Sequence, residues 1–282
     1  MVDAPEILRY SAFAATPEGG NPAGVVLDAR GLSEQDMLRI AAEVGYSETA
    51  FVMGQAADAA VPRYRVRYWS PAAEVPFCGH ATVATAVALA ERVGAGPLIF
   101  DTNAGPVALD TAEQDGSVEV SFTSVEPEVR EIDGVVLDQL LQTLSLTRSD
   151  LDPRFPPREA FAGNWHPVLV LADRELFHQF RFPPAEVAAL MRAQGWLGTV
   201  TVLHATGAAE FMARNLFPVG RITEDPATGS AAASVGAYLR ELAYPEQSVR
   251  IHQGAHVGRP SLLAVEIPAT GGITVSGGAT RL

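Results

Sequence analysis

The chain has 282 residues, among them 20 arginines, no lysine and a single cysteine, Cys78, with 33 acidic side chains and a formal net charge of −13. Without lysine there is no pyridoxal-phosphate aldimine, no Schiff-base aldolase and no Walker lysine; without a second cysteine there is no intramolecular disulfide, Cys-only zinc site or thiol pair for two-base racemisation. The acidic balance argues against a nucleic-acid partner, and no apolar run reaches the roughly 18 residues that cross a membrane.

The N-terminal Met1-Val2-Asp3-Ala4-Pro5-Glu6 lacks the basic-then-apolar pattern of a signal peptide, so a cytoplasmic protein is expected. Residues 7–13 read as a first strand, Gly19-Gly20-Asn21-Pro22 as a turn, and 25–27 as a second strand. Ser33 is an N-cap for a helix whose apolar stripe, Met37, Ile40, Ala41 and Val44, stops at Gly45. Residues 49–53 return to strand. In 63–68, Tyr64, Val66 and Tyr68 alternate with arginines that face out, either as an anion patch or, better, as a solvated face.

A small-residue helix follows over 81–92, then strands 107–111 and 118–122 around an Asp115-Gly116 turn. Residues 149–158 carry Pro153, Pro156 and Pro157 and read as loop. The second series comprises a strand at 168–171, a helix at 185–194, strands at 199–204 and 210–216, and an Ala-rich helix at 231–242. Final strands fall at 249–252, 262–267 and 273–276.

The chain echoes itself. A shift of 150 positions superposes Glu74 on Glu224, Pro76 on Pro226, Gly79 on Gly229 and Ala81 on Ala231, and a fainter echo pairs Gly20-Asn21 with Gly163-Asn164. Duplication is the better explanation. The expected fold class is therefore α+β with two similar halves, 1–122 and 123–282, the last few residues packing back on the first half and a small-molecule site in the cleft between them.

Each repeated loop places a glycine, Gly79 or Gly229, at a helix start, where unsatisfied N–H groups and the helix dipole favour an anion. The plain alternative is that Thr82 or Ser230 merely caps its own helix. His80, Asp225 and Ser230 offer an imidazole, a carboxylate and a hydroxyl for orienting and protonating a substrate. Ser230 lacks the Gly-x-Ser-x-Gly elbow of a hydrolase nucleophile. Glu48, between a helix end and an apolar strand, suits acid–base work if desolvated; from spacing alone a solvent-facing glutamate is the better reading. His252 and His256 lie four apart, but Gly254 interrupts them and no metal site is expected. Cys78 is structural or lines the pocket. No Gly-x-Gly-x-x-Gly occurs, which removes the main argument for a dinucleotide.

Phe77-Cys78-Gly79-His80-Ala81-Thr82, Glu224-Asp225-Pro226-Ala227-Thr228-Gly229-Ser230-Ala231, Gly20-Asn21-Pro22 and Ser47-Glu48-Thr49 together resemble the PhzF family of phenazine biosynthesis. Gln253-Gly254 and Gly258-Arg259-Pro260 fit its C-terminal stretch, so the resemblance spans essentially the whole chain. It implies the diaminopimelate-epimerase-like fold, in which each half wraps strands around a central helix, and a homodimer. It also implies a cofactor-independent isomerase or tautomerase that moves a proton on a small carboxylate, a cyclic amino acid in the founding case. Carried over by motif, Glu48 is the acid/base, acting with His80 and Asp225, while Asn21, Gly79, Thr228, Gly229 and Ser230 bind substrate. Epimerases of this fold use one cysteine from each half; here Cys78 matches Thr228, whose hydroxyl cannot serve as a thiolate base, which leaves a one-carboxylate proton shuttle. The rival readings are a small-metabolite binding protein without turnover, and a lyase or hydrolase with the same acid–base set.

Overall fold

The computed structural model of the chain describes residues 5–57, 59–114, 116–220 and 222–282. The N-terminal tetrapeptide, and Asp115 of the expected turn, lie outside them. The chain divides into two compact units, Met1–Thr123 with Ser276–Leu282, and Ser124–Val275.

In the first unit, β1 (Leu8–Ala12) and β2 (Asn21–Val26) pair antiparallel. Gly20, at φ 78°, is required between them because a Cβ there would lie 2.6 Å from the Ala12 carbonyl oxygen. α1 (Glu34–Val44) begins on a reciprocal cap: Ser33 Oγ accepts from the Asp36 N–H, and the Asp36 carboxylate accepts from the Ser33 N–H. It ends at Gly45, whose φ of 74° bends the chain out of the helix. Met37 and Ile40 are buried, each contributing about 1.5–3 kcal/mol.

β3 (Glu48–Gln55) runs parallel to β2, and β4 (Arg63–Trp69) antiparallel to β3. Tyr64, Val66 and Tyr68 are buried as the alternation predicts. The arginines between them are neither an open anion patch nor simply solvated. Arg63 pairs with Asp101, Arg65 donates to the Asp101 carbonyl oxygen, and Arg67 bridges Glu34 and Glu74. β5 (Glu74–Val75) pairs with the end of β4 and leads into α2 (Gly79–Val93), which is buried on every face from His80 to Ala90. The helix packs against β1, β2 and β3, and small side chains permit that close approach. β6 (Pro97–Thr102), β7 (Gly105–Gln114) and β8 (Ser117–Thr123) follow, β6 parallel to β4 and β7 antiparallel to β6 and β8.

The second unit opens with β9 (Glu128–Glu131), α3 (Gly134–Thr143), β10 (Arg158–Phe161) and β11 (Trp165–Val170). Asp133 caps α3 by accepting from the Val135 and Val136 N–H groups. α4 (Arg174–Gln179) and α5 (Pro184–Gln194) precede β12 (Val200–Ala205) and β13 (Glu210–Leu216). Leu140, Phe177, Val187, Met191 and Trp196 from these helices and their flanks share a core with Val200 and Val202. β14 (Glu224–Asp225) leads into α6 (Gly229–Glu241), followed by β15 (Ser248–Gln253) and β16 (Ser261–Glu266). β17 (Thr274–Arg281) then pairs with β1 and β8, so β1, β2, β3, β4, β6, β7, β8 and β17 close into a mixed barrel. Among the described residues, no helix is long and apolar enough to cross a membrane.

The same local pattern occurs in both units. A strand pairs antiparallel with a two-residue strand, a small-residue helix follows, and the next strand returns parallel to the first: β4, β5, α2, β6 and β13, β14, α6, β15. The register repeats as well, with Trp69 opposite Glu74 and Leu216 opposite Glu224. Two residues before each of those strand partners stands an arginine that clamps the glutamate: Arg67 on Glu74 at 2.6 and 2.7 Å, and Arg214 on Glu224 at 2.6 and 3.2 Å. The acidic residue of the 150-position echo is therefore a buttress for the loop before each helix.

Candidate active site

Glu48 is the first residue of β3, immediately after the turn that Gly45 opens, and α2 starts at Gly79. Strand and helix bring three chemically different side chains together. Cys78 Sγ lies 3.5 Å from Glu48 Oε2 and 3.3 Å from His80 Nδ1. His80 Nε2 lies 3.5 Å from Glu48 Oε2 and 3.3 Å from Ser47 Oγ. Glu48 keeps 20% side-chain exposure and His80 only 7%, so the carboxylate is accessible at one side and enclosed at the other. This replaces the solvent-facing reading that spacing alone favours. A carboxylate with a thiol and an imidazole at its oxygen has two groups that can stabilise or relay a proton.

Asn21 is buried at the start of β2, two residues before Ala23, the register partner of Glu48. Gly79 is the first residue of α2. The N-cap side chains of both buried helices, Cys78 and Thr228, make no capping hydrogen bond. Thr82 is not a cap either: its hydroxyl donates to the Cys78 carbonyl and meets Tyr68 Oη at 2.6 Å.

In the second unit, Asp225 ends β14 and accepts a 2.6 Å hydrogen bond from Thr228 Oγ1. Gln253 holds this loop from β15. Its Nε2 donates to the Asp225 carbonyl at 2.7 Å and to Thr228 Oγ1 at 3.0 Å, and its Oε1 accepts from the Thr228 N–H at 3.3 Å. Gly254 must be glycine: its φ is 79°, and a Cβ would collide with the Arg259 and Pro226 carbonyl oxygens. Gly229 opens α6, and Ser230 Oγ lies 3.1 Å from His166 Nε2 rather than capping the helix.

His166 is a functional candidate that the sequence motifs do not reveal. Its Nδ1 faces the Thr199 backbone, 2.9 Å from the nitrogen and 3.1 Å from the carbonyl oxygen, and its Nε2 faces Ser230 Oγ at 3.1 Å. Burial pushes its pKa down to about 4, against the weaker opposing effect of the Thr199 carbonyl oxygen beside Nδ1, which favours a protonated ring. Thr199 Oγ1 in turn donates to Asn215, which also accepts from Thr201. The Gly20/Gly163 echo aligns Ala23 with His166, and the strand registers align Glu48 with Thr199. The second unit thus carries a hydroxyl where the first carries its carboxylate. The only advance signal was the Gly163-Asn164 echo just before it.

His252 and His256 do not converge on a common point. His252 Nε2 meets Glu210 at 2.6 Å, whereas His256 meets His178 at 3.1 Å.

A family model described as phenazine biosynthesis-like protein, PhzC-PhzF, matches residues 10–282. The chain belongs to that family. It is 30% identical to an uncharacterised isomerase of Bacillus subtilis over 95% of this chain and 92% of the relative. It is 31% identical to the trans-2,3-dihydro-3-hydroxyanthranilate isomerase of Pseudomonas chlororaphis over 89% and 86%. The fold matches the crystal structure of a Bacillus anthracis PhzF-family protein with a TM-score of 0.82 at 25% identity, covering 98% of this chain and 97% of that one. A probable proline racemase from Agrobacterium radiobacter shares the fold alone, with a TM-score of 0.65 at 12% identity and coverage of 99% and 91%. This PhzF-family chain is an isomerase, in keeping with its curated relatives.

Proposed function

We propose that this isomerase moves a proton between two atoms of a small carboxylate substrate without a cofactor, using Glu48 as the single acid/base. The observation that carries the reading is the position of Glu48: half-enclosed, with a thiol and an imidazole within 3.5 Å of one carboxylate oxygen. The alignment of Thr199 with Glu48 supports a one-carboxylate shuttle, because a hydroxyl with an alcohol-like pKa is a poor base at neutral pH. The hydrogen bond from Thr228 to Asp225 likewise gives that threonine a positioning role rather than a basic one.

In this mechanism Glu48 takes a proton from one carbon and returns it to another. His80 and Asp225 polarise the substrate and hold the proton inventory constant, while Asn21, Gly79, Thr228, Gly229 and Ser230 bind it. The helix N-termini that open at Gly79 and Gly229 supply the positive potential that lysine would otherwise provide. The Arg67–Glu74 and Arg214–Glu224 repeats support a plan of two similar halves of the diaminopimelate-epimerase type. A cyclic amino acid is the first substrate class to assay, since the Pseudomonas chlororaphis relative is named for one.

The test is isotope exchange. In deuterated water, wild type should place solvent deuterium on a carbon of a turned-over substrate at unchanged formula, while Glu48→Gln should bind the same ligand without turnover. Isomerisation that survives Glu48→Gln would remove Glu48 from the mechanism, and a product of changed formula would point to lyase or hydrolase chemistry.

A further inference from the structure

We propose that a cavity in the second unit, lined by His178, Arg181, Arg214, Thr223 and His256, binds the carboxylate or phosphate group of a small molecule. Its volume is about 400 Å³, within the usual range for small-molecule pockets, and its lining residues all belong to that unit. They come from separate parts of the chain: His178 from α4, Arg181 from the link to α5, Arg214 from β13, Thr223 from just before β14, and His256 from beyond β15. Phe182 and Pro184 add an apolar wall. None of these residues belongs to the substrate set of the proposed function, so the cavity stands or falls apart from that reading.

The fixed charge of the lining favours an anion. Arg214 is matched by Glu224 at 2.6 Å and donates to the Phe177 and Phe180 carbonyls, so that pair is close to neutral. Arg181 is different: among the described residues, no carboxylate pairs with it. Its Nη1 donates to the Gln179 and Phe180 carbonyl oxygens at 2.9 and 3.2 Å, which anchors the guanidinium at the end of α4. Nε and Nη2, which share one edge of the group, have no protein acceptor among the described residues. Such an edge matches two oxygens of a carboxylate or phosphate.

The two histidines add a donor. His178 Nδ1 and His256 Nε2 lie 3.1 Å apart, so one neutral ring donates and the other accepts. Whichever accepts keeps its proton on its other nitrogen, leaving one N–H outside the pair. Both rings also register the positive surroundings. Burial is the main cause that lowers their pKa values; Arg174, His204 and Arg214 lower that of His178 further. For His256, Arg214, His178 and Arg181 act in the same direction against Glu224. A bound oxyanion relieves that field, so binding is coupled to proton uptake by the pair.

The test is an NMR titration of the histidine rings in the whole chain, with inorganic phosphate and separately with benzoate, at constant ionic strength. His178→Asn and His256→Asn identify the two resonances. In wild type both should respond saturably, with half-saturation at about 1 mM or below, and should protonate about one pH unit higher with anion bound. His252, which pairs with Glu210, should not follow them. Arg181→Ala should weaken binding roughly 10- to 100-fold, the loss of a charge-assisted contact. Tighter benzoate marks a carboxylate ligand with an apolar body and tighter phosphate a phosphorylated one; either supports the site. No saturable response up to about 10 mM of either anion, an equal response at His252, or affinity unchanged by Arg181→Ala would each overturn the proposal.

Discussion

His166 Nε2 meets Ser230 Oγ across 3.1 Å, while Nδ1, on the other side of the ring, faces the Thr199 backbone, 2.9 Å from its nitrogen and 3.1 Å from its carbonyl oxygen. Gly198 makes room for the ring, since a Cβ there would run into the imidazole. His166→Phe keeps an aromatic ring but strands the Thr199 N–H, at a cost of about 1–3 kcal/mol. Urea denaturation should show that loss. If Ser230 binds substrate, KM should rise more than kcat falls.

Acid should destabilise the fold through the same residue. The folded pKa of His166 is pushed down to about 4 from an ordinary 6.5, so the unfolded chain binds the proton more readily between those values. Its contribution is intact above pH 6.5 and is lost as pH falls towards 4, amounting to about 3 kcal/mol. Melting curves across this window should steepen for wild type relative to His166→Phe. Parallel curves would remove His166 as the source.

Glu48→Gln should lower kcat by roughly 100- to 10,000-fold, the usual contribution of a positioned acid or base. Substrate-induced stabilisation in a thermal shift should remain, because the amide keeps the shape of the side chain. A variant that neither binds nor turns over would instead assign Glu48 to binding.

The two arginine–glutamate clamps should differ in strength according to burial. Arg214 and Glu224 are 4% and 10% exposed, and the guanidinium also donates to the Phe177 and Phe180 carbonyls and lies over the Phe180 ring. Glu224→Gln should cost about 3–5 kcal/mol, since it leaves a buried charge uncompensated. Glu74→Gln, at 23% exposure, should cost less. Loss of the exposed Arg39–Glu43 pair should cost at most about 0.5 kcal/mol. Chemical denaturation of the three variants gives the ranking.

Gly254→Ala tests the loop that carries Asp225. Gly254 and Gly45 share a left-handed φ, 79° and 74°, but only Gly254 has carbonyl oxygens where the Cβ would go. Gly45→Ala should therefore cost about 1–2 kcal/mol from backbone strain alone. Gly254→Ala should cost clearly more and should also weaken substrate binding, by displacing Gln253 from Thr228. Equal melting temperatures for the two variants would contradict the steric argument.

The absence of lysine, the capped helix from Ser33 to Gly45, the buried alternation of Tyr64, Val66 and Tyr68, and the two Gly-led helices were all legible in the chain, because each is a composition or short-range property. β6 and α3 went beyond those expectations. β6 starts on a proline and offers only a three-residue apolar run, so its parallel pairing with β4 makes it a strand. Tertiary structure alone decided the partners. The echo marked Glu74 and Glu224 as special, but strand register turned them into clamped buttresses. Cys78 reaches Glu48 across 30 positions, and His166 reaches Ser230 across 64. Such contacts depend on which strands pair and in what register, and no local periodicity encodes that. With lysine and a second thiol excluded by composition, the folded chain supplied what remained: one carboxylate, enclosed by a thiol and an imidazole.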